Sequence, residues 1–342
     1  MDAVVLYEHG GPEVLRYESV DRPEPGPGEV RVAVKAVALN HLDLWVRRGG
    51  PAFRPEYPHR LGSDVAGLID AVGPGATGLE IGTRVVVQPG VSCGVCAQCL
   101  RGRDNLCRHY RILGENAQGG YGQFIVVPQA NIAPYPGELS FEEAAACLLT
   151  FLTAWQMVVE KAAVRPGDLV LVQGAGSGVG VAAMQIARLH NARVIATAGT
   201  DEKLARAREL GAEATINYRA ADFVAEVKKL TDRRGADVVI EHIGGETLAR
   251  SILATRSGGR IVTCGATAGP KANIDLVHVF FRQISILGST MGSKSHLLQA
   301  LEHLGARRMR PVVHRALPLC EAAEAHRILE RREAFGKVVL VP

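Results

Sequence analysis

The stretch Leu169-Val170-Leu171-Val172 runs directly into Gln173-Gly174-Ala175-Gly176-Ser177-Gly178-Val179-Gly180, and a helix-patterned segment follows. Few local sequences restrict a fold so tightly. Four consecutive apolar residues read as a strand buried on both faces. Over residues 178–190, Val179, Ala182, Ile186 and Leu189 recur at spacings of three, four and three, which is one face of an amphipathic helix. A strand that turns through glycines into a helix offers backbone N–H groups unobstructed by Cβ, at the positive end of the helix dipole. That arrangement suits a diphosphate. The frame is G-x-G-x-G-x-G, not G-x-G-x-x-G, so the placement between strand and helix carries the argument. Gly174, Gly176, Ser177, Gly178, Val179 and Gly180 are the expected dinucleotide contacts.

The same grammar continues beyond the turn. Residues 193–198 read as a strand, 201–210 as a helix, 214–217 as a strand and 221–230 as a helix. Val238-Val239-Ile240, Arg260-Ile261-Val262-Thr263 and Ile284-Ser285-Ile286-Leu287 supply three further strands. Alternation at this rhythm implies an α/β domain with a doubly wound parallel sheet, placed at residues 148–287. Residues 1–147 read differently. Val4-Val5-Leu6, Val30-Arg31-Val32-Ala33-Val34 and Val85-Val86-Val87 are short Val-rich runs bounded by Gly and Pro, the pattern of a β-rich barrel or sandwich. Residues 288–342 add helical patterns over 296–304 and 319–331 and a closing strand over 337–341. A helix over 141–159 is expected to link the two domains.

An NAD site usually carries an acid at the end of the second strand, about 20 residues after the turn, for the ribose hydroxyls. Here that strand ends Thr197-Ala198-Gly199-Thr200. No carboxylate stands there, although Asp201 and Glu202 follow at the start of the next helix. Thr200, Lys203, Tyr218 and Arg219 stand nearby, and they can hold a 2′-phosphate by charge and hydrogen bonds. NADPH is therefore expected over NADH.

Cys93, Cys96, Cys99 and Cys107 follow C-x2-C-x2-C-x7-C. Four thiolates at this spacing converge on one tetrahedral ion and leave no coordination position open, which is the character of a structural zinc. One Zn2+ per chain is expected, stapling a loop with little core of its own. Cys147, Cys264 and Cys320 sit alone in apolar surroundings and read as small core residues.

Bulk composition narrows the function classes. Hydrophobic residues make up 47% and the formal charge is only +4. This supports large cores and gives no basic footprint for nucleic acid or an anionic membrane. No apolar run reaches the ~18 residues of a membrane span. The first residues lack a secretory pattern, so the expected location is the cytoplasm and the expected partner a small molecule.

Together these motifs, with Gly62-Ser63-Asp64-Val65-Ala66-Gly67 and Gly119-Gly120-Tyr121-Gly122-Gln123-Phe124, resemble the medium-chain dehydrogenase/reductase superfamily over the whole length. The resemblance implies a GroES-like catalytic domain interrupted by a Rossmann cofactor domain. It also implies a homo-oligomer, dimer or tetramer, with residues 272–292 joining sheets across a dimer. In the zinc alcohol dehydrogenases of this family, C-H-T-D and G-H-E segments supply ligands to a catalytic zinc. The equivalent stretches here are Asn40-His41-Leu42-Asp43 and Gly62-Ser63-Asp64, and Leu149 occupies the third ligand position. Such a set makes a poor zinc site. Asn at position 40, Gly199-Thr200…Lys203 and Asn217-Tyr218-Arg219 resemble the quinone oxidoreductase branch, whereas the four-cysteine lobe departs from it.

Without a Lewis acid, reducing a conjugated carbonyl is easier than oxidising a simple alcohol, because the developing charge spreads over an enolate or quinol. The expected reaction is hydride transfer from NAD(P)H to a quinone or α,β-unsaturated carbonyl. Asn40 is the expected donor to the substrate oxygen, Asp43 the residue orienting its neighbours, and His41 a proton relay. Ser63 and Asp64 are expected to line the polar end, with Trp45, Phe53 and Tyr57 as apolar walls. Two alternatives remain open. One is an alcohol dehydrogenase whose metal site is rebuilt from Asp64, His41 or His59. The other is a nicotinamide-binding protein without turnover.

Overall fold

A computed structural model describes residues 1–50 and 52–342. The chain divides into two units, Met1–Leu149 with Ser293–Pro342, and Thr150–Gly292. Among the described residues, no helix is long and apolar enough to cross a membrane.

The Thr150–Gly292 unit is built on six parallel strands. In spatial order they are Ala214–Asn217, Arg193–Ala198, Leu169–Val172, Ala236–Glu241, Thr255–Thr263 and Ser285–Gly288. Numbered along the chain this is 3-2-1-4-5-6, the doubly wound order whose switch point lies beside the first strand. That strand is wholly buried, as its unbroken apolar run requires. Helices Gly178–Leu189, Asp201–Glu209, Phe223–Leu230 and Gly245–Ala254 alternate with the strands. Each expected strand forms, with ends shifted by a few residues. The helix Leu276–Phe281, not foreseen from the sequence, precedes the edge strand.

The other unit centres on a mixed sheet ordered Val313–Pro318, Lys337–Val341, Glu29–Ala38, Asp64–Val72, Arg84–Val87 and Ile132–Pro134, with Phe124–Pro128 also paired to Glu29–Ala38. The last fifty residues therefore return into the first domain's sheet. Two antiparallel registers matter for the chemistry. Ala38 faces Asp64 across one edge of its strand and Val339 across the other. The end of Glu29–Ala38 and the starts of Asp64–Val72 and Lys337–Val341 thus lie together at one rim of the sheet.

A helix over His41–Arg48, absent from the sequence reading, follows the first of these strands. A buried polar chain anchors it. The Arg47 guanidinium pairs with Glu330 at 2.5 Å and donates to Nδ1 of His326 at 3.2 Å. Because Arg is donor only, the His326 proton sits on Nε2, which then donates to the Tyr121 hydroxyl at 3.1 Å. Burial holds His326 down to about 3, so the ring is neutral.

The expected single helix over 141–159 is broken into Phe141–Ala145, Leu148–Trp155 and a π-helical turn over Gln156–Lys161. The break has a physical reason. Leu149, in the first turn of the second piece, turns its backbone N–H onto the buried carboxylate of Asp64 at 2.9 Å.

Candidate active site

Asn40, Asp64 and Lys337 meet at the rim where the three strands converge, and all three are at least nine-tenths buried. Lys337 Nζ donates to Asn40 Oδ1 at 2.5 Å and to Asp64 Oδ2 at 2.9 Å. Asn40 Nδ2 donates to the same Asp64 oxygen at 3.0 Å, while Asp64 Oδ1 accepts the Leu149 N–H. The carboxylate thus has a formal counter-charge and three donors, which satisfies a buried anion. Sequence reasoning identified Asn40 and Asp64 but missed Lys337. Its only signal was a charged residue opening the otherwise apolar strand Lys337-Val338-Val339-Leu340-Val341.

Asp43 stands beneath this cluster, fully buried. Its Oδ2 accepts the Asn40 N–H at 2.7 Å and its Oδ1 the Gly62 N–H at 2.8 Å, so one carboxylate ties the segments carrying Asn40 and Asp64. Gly62 must be glycine here. Its φ is +94°, and a Cβ would lie 2.5 Å from the Tyr121 ring. Burial raises Asp43 to about 6, offset in part by those two N–H groups and by Lys337.

The remaining catalytic candidates lie apart from this hydrogen-bonded group. The Ser63 hydroxyl is buried and donates to the Leu113 carbonyl at 2.7 Å, so its proton is committed to the backbone. His59 is buried and bonded through Nε2 to the Gly114 carbonyl at 3.1 Å, with its pKa lowered by burial. His41 opens its helix, partly exposed, with its ring 6.5 Å from that of Trp45. Trp45 and Phe53 stack at 6.4 Å, whereas Tyr57 is 40% exposed and packs edge-on against His9. Leu42 and Leu149 offer no donor atom from their side chains. The ligand positions therefore hold one neutral amide, one serine turned to the backbone and one leucine. The nearby anion, Asp64, is already balanced by an ammonium. This donor set does not fit a divalent ion.

The cysteine cluster is different. The Sγ atoms of Cys93, Cys96, Cys99 and Cys107 all lie within 4.8 Å of one another, and no disulfide joins them. Cys96–Cys99 and Cys93–Cys107 are 3.5 Å apart and Cys93–Cys99 3.9 Å. Tetrahedral zinc–thiolate bonds of about 2.3 Å place sulfurs about 3.8 Å apart, so the set fits that ion. The short helix Ala97–Leu100 carries Cys99, and the paired strands Gly90–Val91 and Arg111–Ile112 close the lobe's base. The Cys99 backbone N–H pulls the Cys96 thiol down to about 6, which favours the metal-binding thiolate. Val95 and Leu100 are three-quarters exposed, so the lobe has little apolar core of its own.

In the other unit, the turn Gly174–Gly180 leads into the helix Gly178–Leu189 as expected. Ser177 Oγ caps it, accepting the Gly180 N–H at 2.9 Å. A Cβ on Gly180 would stand 2.6 Å from the Gly174 carbonyl oxygen, so strand and helix approach closely only through glycine. Beneath the turn, Thr197 Oγ1 accepts the Gly174 N–H and donates to Gln173, which reaches Ser251. His242, missed from the sequence, follows the central strand, and its Nε2 lies 3.0 Å from Ser177 Oγ. Burial holds it near 4 and therefore neutral. Thr200 caps the helix Asp201–Glu209 by accepting the Lys203 N–H. Tyr218 and Arg219 lie over the adjacent Gly199, where a Cβ would meet Tyr218 Oη at 2.8 Å and Arg219 Nε at 3.0 Å. These four expected cofactor contacts therefore gather at the ends of neighbouring strands.

Two family models match the chain: the alcohol dehydrogenase GroES-like domain over residues 26–137 and the zinc-binding dehydrogenase over residues 178–306. The human quinone oxidoreductase is 30% identical over 100% of this chain and 98% of that protein. The NAD-dependent alcohol dehydrogenase of Sulfurisphaera tokodaii is 31% identical over 100% of both. A crystal structure of an NAD-dependent alcohol dehydrogenase superposes with a TM-score of 0.95 at 54% identity, each chain covered in full (100%).

Proposed function

The chain belongs to the medium-chain dehydrogenase/reductase superfamily of oxidoreductases, and from that premise we propose that it is an NADPH-dependent reductase of quinones or α,β-unsaturated carbonyls. The observation that carries this reading is the pairing of Asp64 with Lys337 beside Asn40. An ammonium in contact with the Asp64 carboxylate repels a divalent cation, and breaking such a buried pair costs about 3–5 kcal/mol. The amide of Asn40 remains as a neutral donor. That suffices for an oxygen whose charge is delocalised and falls short for a bare alkoxide.

When bound, the reduced dinucleotide supplies a hydride. For an enone, that hydride would go to the β-carbon and a proton to the α-carbon, the two electrons coming from the bound dinucleotide. Asn40 donates to the carbonyl oxygen as the charge grows there, and His41 passes the proton in from solvent. Asp43 holds the Asn40 segment in place. Ser177 and the glycines of the turn hold the diphosphate. Arg219, Tyr218, Thr200 and Lys203 bind the 2′-phosphate, supported by Tyr218 and Arg219 lying over Gly199 and by Asp201, the nearest acid, accepting from Asn217. The four cysteines hold one structural zinc.

We place the protein in the cytoplasm as a homodimer or larger homo-oligomer. The exposed Leu276, Phe280 and Phe281 beside the edge strand Ser285–Gly288 support a sheet continued across two copies.

A second reading has a specific support: the names of the 54% identical structure and of the Sulfurisphaera tokodaii relative point to alcohols and NAD. One screen separates the two. The purified protein is given NADPH or NADH with quinones, enones and aldehydes, and NADP+ or NAD+ with primary and secondary alcohols. Faster turnover of quinones or enones with NADPH supports the proposal. Preferential alcohol oxidation with NAD+ supports the alternative.

A further inference from the structure

We propose that Lys337 is a positioning residue that fixes which way the Asn40 amide faces, and so aims one N–H at the substrate oxygen. The inference rests on the reductase reading above and adds a residue that the family motifs around Asn40 and Asp64 do not include.

An ammonium can only donate, and an ionised carboxylate can only accept. Asn40 touches one of each: Lys337 Nζ at 2.5 Å and Asp64 Oδ2 at 3.0 Å. Its carbonyl oxygen must therefore face the lysine and its NH2 group the aspartate. Flipped, the amide would set NH2 against NH3+ and oxygen against oxygen, two repulsive contacts in a buried site. The NH2 group has two hydrogens, and Asp64 takes one. The second is the donor left for a carbonyl oxygen. A cation on Oδ1 also polarises the amide, which makes that remaining N–H a stronger donor.

The strand registers make this arrangement rigid. Asn40 follows the end of Glu29–Ala38, Asp64 opens its strand opposite Ala38, and Lys337 opens the strand whose Val339 faces Ala38 from the other side. Leu149 N–H and Lys337 hold Asp64 from two directions. None of the three side chains can turn without leaving a buried polar atom without its partner.

Lys337→Met alone leaves Asp64 buried and uncompensated, and the chain is expected to lose much of its stability. The informative variant is Lys337→Met combined with Asp64→Asn. It removes both charges together and lets the Asn40 amide turn. Lys337→Arg keeps a donor-only cation at the same place. Four quantities are read on each folded protein: kcat on an enone, the KM for that enone, the Kd for NADPH, and the affinity of the NADP+ complex for a phenolate against its methyl ether. The phenolate mimics the enolate oxygen, and the ether lacks the charge.

The expected result for the double variant is a kcat lowered about a hundredfold, the scale of one lost oxyanion donor. NADPH affinity stays within a factor of about three, and the phenolate preference disappears. Lys337→Arg is expected to retain that preference and to recover most of kcat. A purely structural lysine predicts instead that phenolate and ether weaken equally. That outcome, or a double variant with wild-type kcat, overturns the proposal while leaving the reductase reading in place. If Lys337→Arg loses the phenolate preference as completely as the double variant, the orientation argument is also wrong. A wild-type protein that reduces neither enones nor quinones overturns the reductase reading and the role of Lys337 with it.

Discussion

The Asp43 carboxylate carries a pH dependence that can be worked out from its surroundings. Burial is the largest influence and raises its pKa from 3.8 to about 6. The N–H groups of Asn40 and Gly62 and the charge of Lys337 lower it, and Asp64 raises it further. The Tyr121 ring also faces it, with its own hydroxyl pushed well up by burial. Because the folded-state value exceeds the unfolded one, the native chain holds a proton between about pH 4 and 6 that the unfolded chain has lost. This group's contribution to stability therefore grows as pH falls through that window and is least favourable above about 6. Activity runs the other way. Only the ionised form accepts both backbone N–H groups, so kcat is expected to fall below about pH 6 with a one-proton limb. The same limb should persist in His41→Gln, which has no imidazole to titrate. A kcat that stays flat down to about pH 5, or a limb abolished in His41→Gln, would assign the dependence elsewhere.

Asn40, Asp43 and Asp64 stand inside short motifs, so residue order alone brought them forward. Lys337 is 297 positions from Asn40, and only strand register joins them. Nothing local marks it beyond a charge at the head of an apolar strand. Ser63 was read as part of the polar lining, yet its hydroxyl proton goes to the Leu113 carbonyl. Side-chain direction of that kind is set by packing between distant segments, which no spacing rule records.

Among the elements, the parallel strands and their helices were the most legible, because each carries its own periodicity. The helix His41–Arg48 escaped notice because its eight residues are evenly split between apolar and polar or charged, and its capping depends on Asp43. The helix expected over 141–159 breaks where Leu149 turns to Asp64, a contact 85 positions apart in the chain. The cysteine lobe was readable from spacing alone. Its stability is expected to come from the ion, since Val95, Leu100 and Leu106 lie exposed. Cys107→Ser should abolish zinc retention and expose the segment between Cys93 and Cys107 to rapid proteolysis. The rest of the fold should survive. Zinc retained at full stoichiometry in that variant would remove the four-thiolate assignment.

For the whole molecule, the six-stranded sheet ends on Ser285–Gly288, and the preceding helix leaves Leu276, Phe280 and Phe281 between 65% and 80% exposed. An open strand edge beside bare aromatic rings would serve as the association surface of the proposed homo-oligomer. Phe281→Glu should lower the sedimentation coefficient to that of a monomer while leaving the fold intact; an unchanged coefficient would place the interface elsewhere. The two units also differ in what they bring to function. One carries the glycine turn and the cluster around Gly199. The other carries the Asn40, Asp64 and Lys337 cluster and the cysteine lobe.

On the proposed mechanism, the reacting oxygen is served by an amide held between a carboxylate and an ammonium, with no divalent cation beside it. The direct test is the zinc content of the active wild-type protein, counted per chain by elemental analysis after dialysis against a metal-free buffer. One zinc per chain, lost with Cys107→Ser, is the predicted result. Two zincs per chain, one of them surviving that substitution and lost with Asp64→Asn, would contradict it.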